Sequence, residues 1–432
     1  MLTSLNKLIM KRFNFTYYSF PRMAAFLAIL ILASCSAQQK ESEENYLVVL
    51  SLDGFRWDYV DRAHTPNLDY LAKNGVKAER LVSSWPTTTF ANHYTLATGL
   101  LPHKHGIVAN RFYDPEFNED YNSPENRASV WDGKFYGGEP IWVSAEKQGL
   151  TTASCFWVGS EADVQGIRPS YWKKYDHDMP YSDRIDTVVH WLNLPDEARP
   201  RLVMWYLDEP DSGGHRYGPT NDTLMNLVSG LDSLIGVFLN EIKALPHYAQ
   251  INFIVVSDHG MMQLSTDKRV YLDEYVDTTL VAYSDGLFPT MNVKAKDGMQ
   301  DSLAAQLARV PHIRFWKNGE APAHLESGYH PRFHDFVLLV DDYYSMYWSV
   351  EQSRRRDARG VMMGAHGFDN ANTDMHGIFF AMGPQFKSDY IRPPFRNLHV
   401  YSIMAHVLGI QPAETDGSLK EVEDVFQQIE TK

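Results

Sequence analysis

Residues 46–55, YLVVLSLDGF, form an unbroken apolar run that ends in an aspartate and a glycine. Residues 201–211, RLVMWYLDEPD, and residues 251–260, INFIVVSDHG, repeat this pattern with acidic residues at the same end. Strands that are apolar on both faces are typical of the centre of a parallel sheet covered by helices. The three runs therefore predict a central sheet whose strand ends bring carboxylates together.

Helical patterns separate the apolar runs. Apolar residues recur at three- and four-residue spacing between positions 224 and 242, which predicts a helix of about six turns. Residues 65–75, TPNLDYLAKNG, predict a shorter helix. Residues 151–159 and 377–384 are weaker strand candidates. This alternation predicts an α/β fold with a mostly parallel central sheet flanked by helices.

The first residues of the chain have the composition of an export signal. Basic residues precede an apolar run at 23–34, which is too short to span a bilayer because a spanning helix takes about 20 apolar residues. The tetrapeptide Leu-Ala-Ser-Cys at 32–35 resembles a bacterial lipobox, in which Cys35 becomes the lipidated first residue. We therefore interpret residues 1–34 as a lipoprotein signal peptide and residues 35–45 as a flexible tether.

A lipid anchor implies a location in the cell envelope of a bacterium, either in the periplasm or at the outer membrane and cell surface. The protein would then contact the membrane through that anchor alone. The long basic segment leaves both Met1 and Met10 open as the start of translation. With Cys35 lipidated, Cys155 has no cysteine partner, and its apolar surroundings in the sequence favour a buried thiol.

Composition limits the partners and the domain organisation of the remaining chain. The protein has 432 residues, of which 44% are hydrophobic, and a formal net charge of −14. Such a charge argues against a nucleic acid duplex as a partner. We interpret residues 46–432 as one catalytic domain in which residues 262–363 form an inserted subdomain. Residues 110–140 are rich in Asn, Tyr, Gly and Pro, and they predict a long surface loop.

Histidines accompany the acidic strand ends. Several carboxylates on neighbouring strands cost several kcal/mol unless cations compensate their charge. Carboxylates and imidazoles together are typical ligands of zinc in open catalytic sites. Six ligands are too many for one tetrahedral ion and suit two ions with three protein ligands each. The candidate ligands are Asp53, Asp211, His215, Asp258, His259 and His366.

Three consecutive threonines, at positions 87–89, precede a helical pattern. A hydroxyl beside a metal ion at a helix N-terminus would be an activated nucleophile, and the helix end would favour a phosphate. The same residues also suit a turn and a helix cap. The stretch alone leaves both interpretations open.

Six ordered motifs resemble those of the nucleotide pyrophosphatase/phosphodiesterase family, within the alkaline phosphatase superfamily. The resemblance extends from about residue 46 to residue 384, nearly the whole mature chain. Each motif alone is weakly specific, whereas the ordered set is highly specific. The motifs are DGFRWDY (53–59), WPTTTFANHYTLATGLLPHKHGIVAN (85–110), GGEPIW (137–142), EPDSGGHRYGP (209–219), SDHGM (257–261) and HGFDN with MHGIFFAMGP (366–384).

The resemblance implies a role for each site residue. Thr89 matches the family nucleophile, and Asn110 matches an asparagine that binds a phosphate oxygen, together with the backbone N–H that follows the nucleophile. The family implies two Zn²⁺ ions and a covalent threonyl-nucleotide intermediate, hydrolysed to a 5′-nucleoside monophosphate. One ion would bind Asp211, His215 and His366, and the other would bind Asp53, Thr89, Asp258 and His259. We interpret His93, His103 and His105, near the nucleophile, as structural.

The substrate class follows from aromatic residues at family positions. Phe90 directly follows the nucleophile and could pack against a base, and Tyr175 and Tyr206 match family positions that contact a nucleobase. These residues imply small nucleotide diesters such as dinucleotides, nucleoside triphosphates and nucleotide sugars. Family members that cleave choline phosphodiesters provide an alternative, because aromatic rings also bind quaternary ammonium groups. A sulfatase would need a Cys or Ser nucleophile in a different motif. A phosphomonoesterase would place more cationic side chains beside Thr89, and a non-catalytic lipoprotein would not need these ligands.

Overall fold

The computed structural model describes residues 45–286 and 288–427. The predicted signal peptide, Cys35 and nearly all of the predicted tether lie outside these residues. In chain order, the α-helices of the described residues are α1 (Pro66–Lys73), α2 (Thr89–Thr98), α3 (Pro102–His105), α4 (Ile141–Lys147), α5 (Tyr181–Leu192), α6 (Asp211–Tyr217), α7 (Asp222–Lys243), α8 (Gln300–Leu307), α9 (Val350–Asp357) and α10 (Val400–Leu408).

Two sheets contain the longer strands. In chain order, these strands are β1 (Tyr46–Leu52), β2 (Val76–Ala78), β3 (Thr152–Cys155), β4 (Tyr171–Lys173), β5 (Leu202–Leu207), β6 (Ile251–Val256), β7 (Val281–Asp285), β8 (Thr290–Ala295), β9 (Ile313–Lys317), β10 (Phe336–Val340), β11 (Phe379–Met382) and β12 (Tyr390–Arg392). Short two-stranded ladders join Leu81–Val82 to Phe395–Arg396, Phe112–Asp114 to Glu119–Tyr121, Met262–Gln263 to Gly364–Ala365, and Arg269–Tyr271 to Ser345–Tyr347.

The central sheet has eight strands in the order β12-β2-β11-β6-β1-β5-β3-β4. β1 pairs in parallel with both β5 and β6, so the three apolar runs lie side by side. β11 is antiparallel to both of its neighbours, β2 and β6. The predicted α/β fold with a mostly parallel sheet is therefore confirmed. The direction of β11 differs because a buried apolar run looks the same in either orientation.

Alternate residues of β1 pack into opposite layers. Leu47 and Val49 belong to a hydrophobic cluster that also contains residues of α2, α4 and α10. Val48 and Leu50 belong to a second cluster, with residues of α1, α5 and α7. Helix α7 is long and apolar enough in composition to span a membrane, yet ten of its residues are buried in the protein. It forms part of the core beside the sheet.

The stretch 262–363 contains the second sheet, with strand order β7-β8-β10-β9 and antiparallel pairing throughout. Its strands and α8 share a separate hydrophobic cluster. Strand β10 lies within the apolar run DFVLLV at residues 335–340. The division of this stretch into an inserted subdomain stays a prediction.

Residues 110–140 are not the surface loop that their composition predicts. They contain the hairpin of Phe112–Asp114 and Glu119–Tyr121 and short 3₁₀ turns. The rings of Phe112 and Tyr121 are buried and stack with centroids 4.6 Å apart. The prediction fails because turn-forming residues outnumber the few aromatic residues that pack the segment against the core.

Arg332 connects this hairpin to the stretch 262–363. Its guanidinium donates to Asp114 Oδ2 at 2.6 Å and to the backbone carbonyl of Phe135 at 2.8 Å. The Arg332 and Asp114 side chains are only 6% and 4% exposed. Breaking a buried pair leaves a charge that water cannot reach.

We expect Arg332→Ala to lower the free energy of unfolding by about 3–5 kcal/mol, since it leaves the Asp114 carboxylate buried and unpaired. Urea denaturation followed by circular dichroism measures this change. The control is Arg355→Ala, which removes an exposed pair with Glu351 and should cost less than about 1 kcal/mol. Similar losses in the two variants would contradict the buried role of Arg332.

Candidate active site

The acidic residues that follow the parallel strands lie together at one edge of the central sheet. Asp53 follows β1, Asp211 begins α6 after β5, and Asp258 follows β6. The carboxyl ends of parallel strands meet at the same edge, which is where α/β sheets bind ligands. Potential ligand atoms lie within 4.8 Å of one another in two groups, one of Asp53, Asp258 and His259 and one of Asp211, His259 and His366.

The structure thus brings all six candidate ligands together. The sixth, His215, lies beside Asp211, with Nε2 and Oδ2 3.3 Å apart. His259 belongs to both groups, whereas the family resemblance implies one ion for it. His259 reaches both groups because its ring stacks on the ring of His366, with centroids 3.6 Å apart.

Three histidines share one mode of orientation. Each places Nδ1 on a backbone carbonyl, which favours the Nδ1–H tautomer and leaves Nε2 free to accept a cation. These Nδ1 contacts are His215 to Gly364 at 2.8 Å, His259 to Gly260 at 2.9 Å, and His366 to Thr87 at 3.0 Å. Such backbone contacts are typical of histidines that bind metal ions.

One oxygen of each candidate carboxylate lacks a hydrogen-bond partner. Asp53 Oδ1, Asp211 Oδ1 and Asp258 Oδ2 are buried and without such a partner within the described residues. A buried, unpaired carboxylate oxygen is costly, whereas a divalent cation satisfies it directly. The donor set of carboxylates and imidazoles therefore fits bound divalent metal ions.

The pKa shifts of the candidate ligands also favour bound cations. Burial and the charges of Asp258 and Asp211 raise the pKa of Asp53 well above its usual value. Although burial acts in the opposite direction, the charges of His259 and His93 hold the pKa of Asp258 well below its usual range. Burial, with the neighbouring charge of His259, lowers the pKa of His366 to about 3. The protein alone thus disfavours the ionised form of Asp53, which a cation would stabilise.

The three threonines differ in their contacts. Thr87 Oγ1 donates to the carbonyl of Phe368 and accepts from the N–H of Gly367, so this side chain holds a loop in place. Thr88 is the N-cap of α2, although its side chain makes no capping bond. Thr89 begins α2, and its Oγ1 lies 3.3 Å from His259 Nε2. Thr89 alone of the three presents its hydroxyl to the ligand cluster.

Asn110 lies directly beside the nucleophile candidate. Its Oδ1 accepts from the backbone N–H of Phe90 at 2.8 Å, which determines the orientation of the amide. The Asn110 NH₂ group then remains as a donor for an oxygen in the cleft. The two donors implied by the resemblance, the Asn110 NH₂ group and the Phe90 N–H, are therefore close together, and in this structure the Phe90 N–H donates to the oxygen of the same Asn110 amide.

His93 contacts both the start of α2 and the central sheet. Its Nδ1 lies 2.9 Å from the Thr89 carbonyl and 3.3 Å from Asp258 Oδ2, while Nε2 contacts Ser51 Oγ at 2.8 Å. His93 therefore links the start of α2 to a candidate ligand on the sheet. Its spacing of four residues from Thr89 was the available signal, because such residues share a helix face.

A cleft of about 1010 Å³ opens from the ligand cluster, and Thr89, Phe90 and Tyr175 line it. The Tyr175 side chain is 39% exposed and its ring packs edge-on against Phe156 at 5.3 Å. Tyr206 also lines the cleft, but it is mostly buried and its hydroxyl donates to Asp53 Oδ2 at 2.5 Å. Tyr206 thus orients a candidate ligand, a contact that the sequence did not predict.

Comparison with known proteins identifies relatives across most of the chain. The family model for type I phosphodiesterase/nucleotide pyrophosphatase matches residues 47–369. Ectonucleotide pyrophosphatase/phosphodiesterase family member 5 of Homo sapiens is 30% identical over 405 residues, which cover 93% of this chain and 81% of that protein. Family member 3 of Rattus norvegicus is 31% identical over 404 residues, and the chain spans only 45% of its length.

A solved structure agrees with the fold. The murine family member 5, as an inactive variant in complex with AMP, superimposes with a TM-score of 0.83 at 29% identity. The match covers 89% of this chain and 100% of that chain.

Proposed function

The chain belongs to the type I phosphodiesterase/nucleotide pyrophosphatase family and is an enzyme of that family, and we propose that it hydrolyses nucleotide phosphodiester and pyrophosphate bonds to release a 5′-nucleoside monophosphate. One observation carries this proposal. The Thr89 hydroxyl lies beside His259, within a cluster of metal-ligand side chains that opens into a cleft. The bound AMP in the murine relative supports a nucleotide as substrate.

The ligand cluster would hold two Zn²⁺ ions. Asp211, His215 and His366 would bind one, and Asp53, Thr89, Asp258 and His259 would bind the other. Bound zinc supplies positive charge that lowers the pKa of a hydroxyl and stabilises charge on phosphate oxygens.

In the proposed reaction, the residues of the chain have the following roles. Thr89 Oγ1 attacks phosphorus in line with the departing oxygen, and a covalent threonyl-nucleotide forms. Water then cleaves this ester and restores the threonine. The NH₂ group of Asn110 donates to a phosphate oxygen, where donors placed in advance favour the transition state. His93 holds the start of α2, and the helix N-terminus favours the negative charge that develops there.

Phe90 and Tyr175 would contact the nucleobase. We expect Tyr175→Ala to raise KM for a nucleotide diester by about 5- to 100-fold, since stacking on one aromatic ring contributes about 1–3 kcal/mol per base. Steady-state kinetics measure this change. The control is Tyr329→Ala, because Tyr329 is 68% exposed and does not line the cleft. An unchanged KM in Tyr175→Ala would remove Tyr175 from the substrate site.

The substrate class is tested with three chromogenic esters and purified protein beginning near residue 40. These are para-nitrophenyl thymidine 5′-monophosphate, para-nitrophenyl phosphorylcholine and para-nitrophenyl phosphate, each with zinc and with chelator. Zinc-dependent preference for the thymidine ester supports the proposal. Preference for the choline ester would indicate the alternative phosphodiesterase with the same nucleophile. Two bound ions without any cleavage would favour a non-catalytic surface-binding lipoprotein.

We also propose that Cys35 is lipidated and anchors the enzyme to the bacterial envelope, at its periplasmic or surface face. The lipobox-like sequence at 32–35 supports this proposal. Metabolic labelling with an alkyne fatty acid should modify the wild type, with no label in Cys35→Ala and an unchanged label in Cys155→Ala. Label that persists in Cys35→Ala would overturn the anchor.

A further inference from the structure

Asn122 lies directly after the strand Glu119–Tyr121 of the hairpin and lines the cleft, yet it has no role in the proposed function. The residue is only 4% exposed. Its Nδ2 donates to the backbone carbonyl of Asn110 at 2.8 Å, and its Oδ1 accepts from Arg127 Nη1 at 2.7 Å. Its backbone N–H donates to Ser129 Oγ at 2.7 Å. Asn122 therefore connects the residue that would bind a phosphate oxygen to the loop that follows the hairpin.

The partners of Asn122 leave one orientation for its amide. The Arg127 guanidinium can only donate, whereas the carbonyl of Asn110 can only accept. The Asn122 oxygen must then face Arg127, and its NH₂ group must face Asn110. The Asn110 amide is oriented in the same way, because its oxygen accepts from the Phe90 N–H and its NH₂ group is left for the cleft.

Asn110 depends on side-chain contacts because it belongs to no helix or strand. It lies between α3 and the first strand of the hairpin, and within the described residues no backbone N–H donates to its carbonyl. A group that acts on a transition state must be held within about 0.5 Å of its productive position. The bond from Asn122 therefore restrains the backbone of a residue whose side chain would bind the reacting phosphate.

The backbone at Asn122 provides a matched comparison within the same hairpin. Its φ of 54° lies in the left-handed region, which asparagine and glycine adopt more readily than other residues. Asn118, in the turn of the hairpin, has a φ of 53°. Asn118 is exposed and outside the cleft lining, and its Oδ1 accepts from the Tyr113 hydroxyl at 2.5 Å.

We propose that Asn122 is a positioning residue, whose bond to the Asn110 carbonyl holds the Asn110 NH₂ group where a phosphate oxygen gains charge. This inference rests on the proposed function and adds a residue to its machinery. Arg127 contributes by fixing the Asn122 amide. Because a donor placed in advance acts most strongly on the charge of the transition state, the role of Asn122 affects kcat more than substrate binding.

Asn122→Gly removes the side chain and keeps a residue that tolerates the left-handed backbone. With zinc, we expect kcat for para-nitrophenyl thymidine 5′-monophosphate to fall by about 10- to 100-fold, because a displacement of about 1 Å can cost about 10²-fold. KM should stay within about 3-fold of the wild type. Asn118→Gly makes the same change in the same hairpin and should keep both constants of the wild type.

A double-mutant cycle tests whether Asn122 acts through Asn110. Asn110→Ala should lower kcat by about 10²- to 10³-fold, and adding Asn122→Gly should then lower it by no more than about 2-fold. Additive losses would overturn the proposal, as would a change in KM alone. Thermal unfolding checks the fold. If Asn122→Gly does not fold, Arg127→Ala replaces it in the cycle, since Arg127 is exposed, and should lower kcat by about 3- to 10-fold.

Orthovanadate provides a readout without turnover, since its five-coordinate form resembles the transition state of phosphoryl transfer. Calorimetry on the zinc-loaded protein should show binding weakened by at least about 5-fold in Asn122→Gly and in Asn110→Ala, with little further loss in the double variant. Equal affinities in the wild type and Asn122→Gly would overturn the positioning role. Failure of the wild type to cleave any of the three chromogenic esters would instead refute the proposed function, and the vanadate comparison would then decide the role of Asn122 alone.

Discussion

Thr89→Ala is expected to lower kcat/KM for para-nitrophenyl thymidine 5′-monophosphate by at least about 10⁴-fold, because removing a covalent nucleophile leaves only binding and electrostatic contributions. Within the part of the chain that the structure describes, the hydroxyl makes a single polar contact, with His259 at 3.3 Å, so its loss should change stability little. Initial rates with zinc, together with thermal unfolding, separate catalysis from folding.

Neighbouring substitutions sharpen this test. Thr88→Ala removes a hydroxyl that makes no hydrogen bond to any described residue, and the activity of this variant should stay within a few-fold of the wild type. Thr89→Ser keeps an oxygen at the same position and should retain measurable activity. A covalent nucleotide should accumulate on the wild type after a rapid acid quench, as detected by mass spectrometry. Full activity of Thr89→Ala would transfer the nucleophile role to another group.

The sequence predicted the parts of the molecule that local patterns encode. The apolar runs before Asp53 and Asp258 specify buried strands, and their acidic ends specify the sheet edge where the candidate ligands lie. The sequence also showed that the threonines at 87–89 directly precede a helical pattern. These features depend on a few consecutive residues, so they can be read without knowledge of the tertiary contacts.

Features that depend on distant contacts were missed. His93 acts with Ser51, which lies 42 positions away, and Tyr206 donates to Asp53 from 153 positions away. No local pattern encodes either pair. The hairpin within 110–140 was also missed, because besides its few buried aromatic residues it depends on Arg332, which lies in the stretch 262–363.

Asp53→Asn should have opposite effects with and without metal, and this reversal tests the metal site most directly. In chelator, the raised pKa of Asp53 means that the folded state holds a proton more tightly than the unfolded state. Its contribution to stability then decreases as pH rises above the usual aspartate value of about 3.9. Asparagine removes that ionisation and can still accept from the Tyr206 hydroxyl, so the variant should unfold at a higher temperature than the wild type at pH 7.

With zinc, the order should reverse. A site that binds only the folded state adds about 4 kcal/mol at a free metal concentration 1,000 times its Kd, and the wild type should gain this stability. Asp53→Asn loses a charged ligand, so it should gain less, and metal analysis should show fewer than the two ions expected for the wild type. Thermal unfolding in chelator and in zinc measures both halves of this reversal.

Asp186→Asn is the matched control, since Asp186 is an exposed aspartate in α5 that has no side-chain hydrogen bond or ion pair with residues 45–286 or 288–427. It should change stability little in either condition and should keep the metal content of the wild type. If Asp53→Asn were less stable than the wild type in chelator, the Asp53 carboxylate would have a stabilising partner within the protein itself. Asp53 Oδ1, which has no hydrogen-bond partner within the described residues, and the neighbouring carboxylates Asp211 and Asp258 argue for the opposite result, because each makes the Asp53 charge unfavourable until a cation binds.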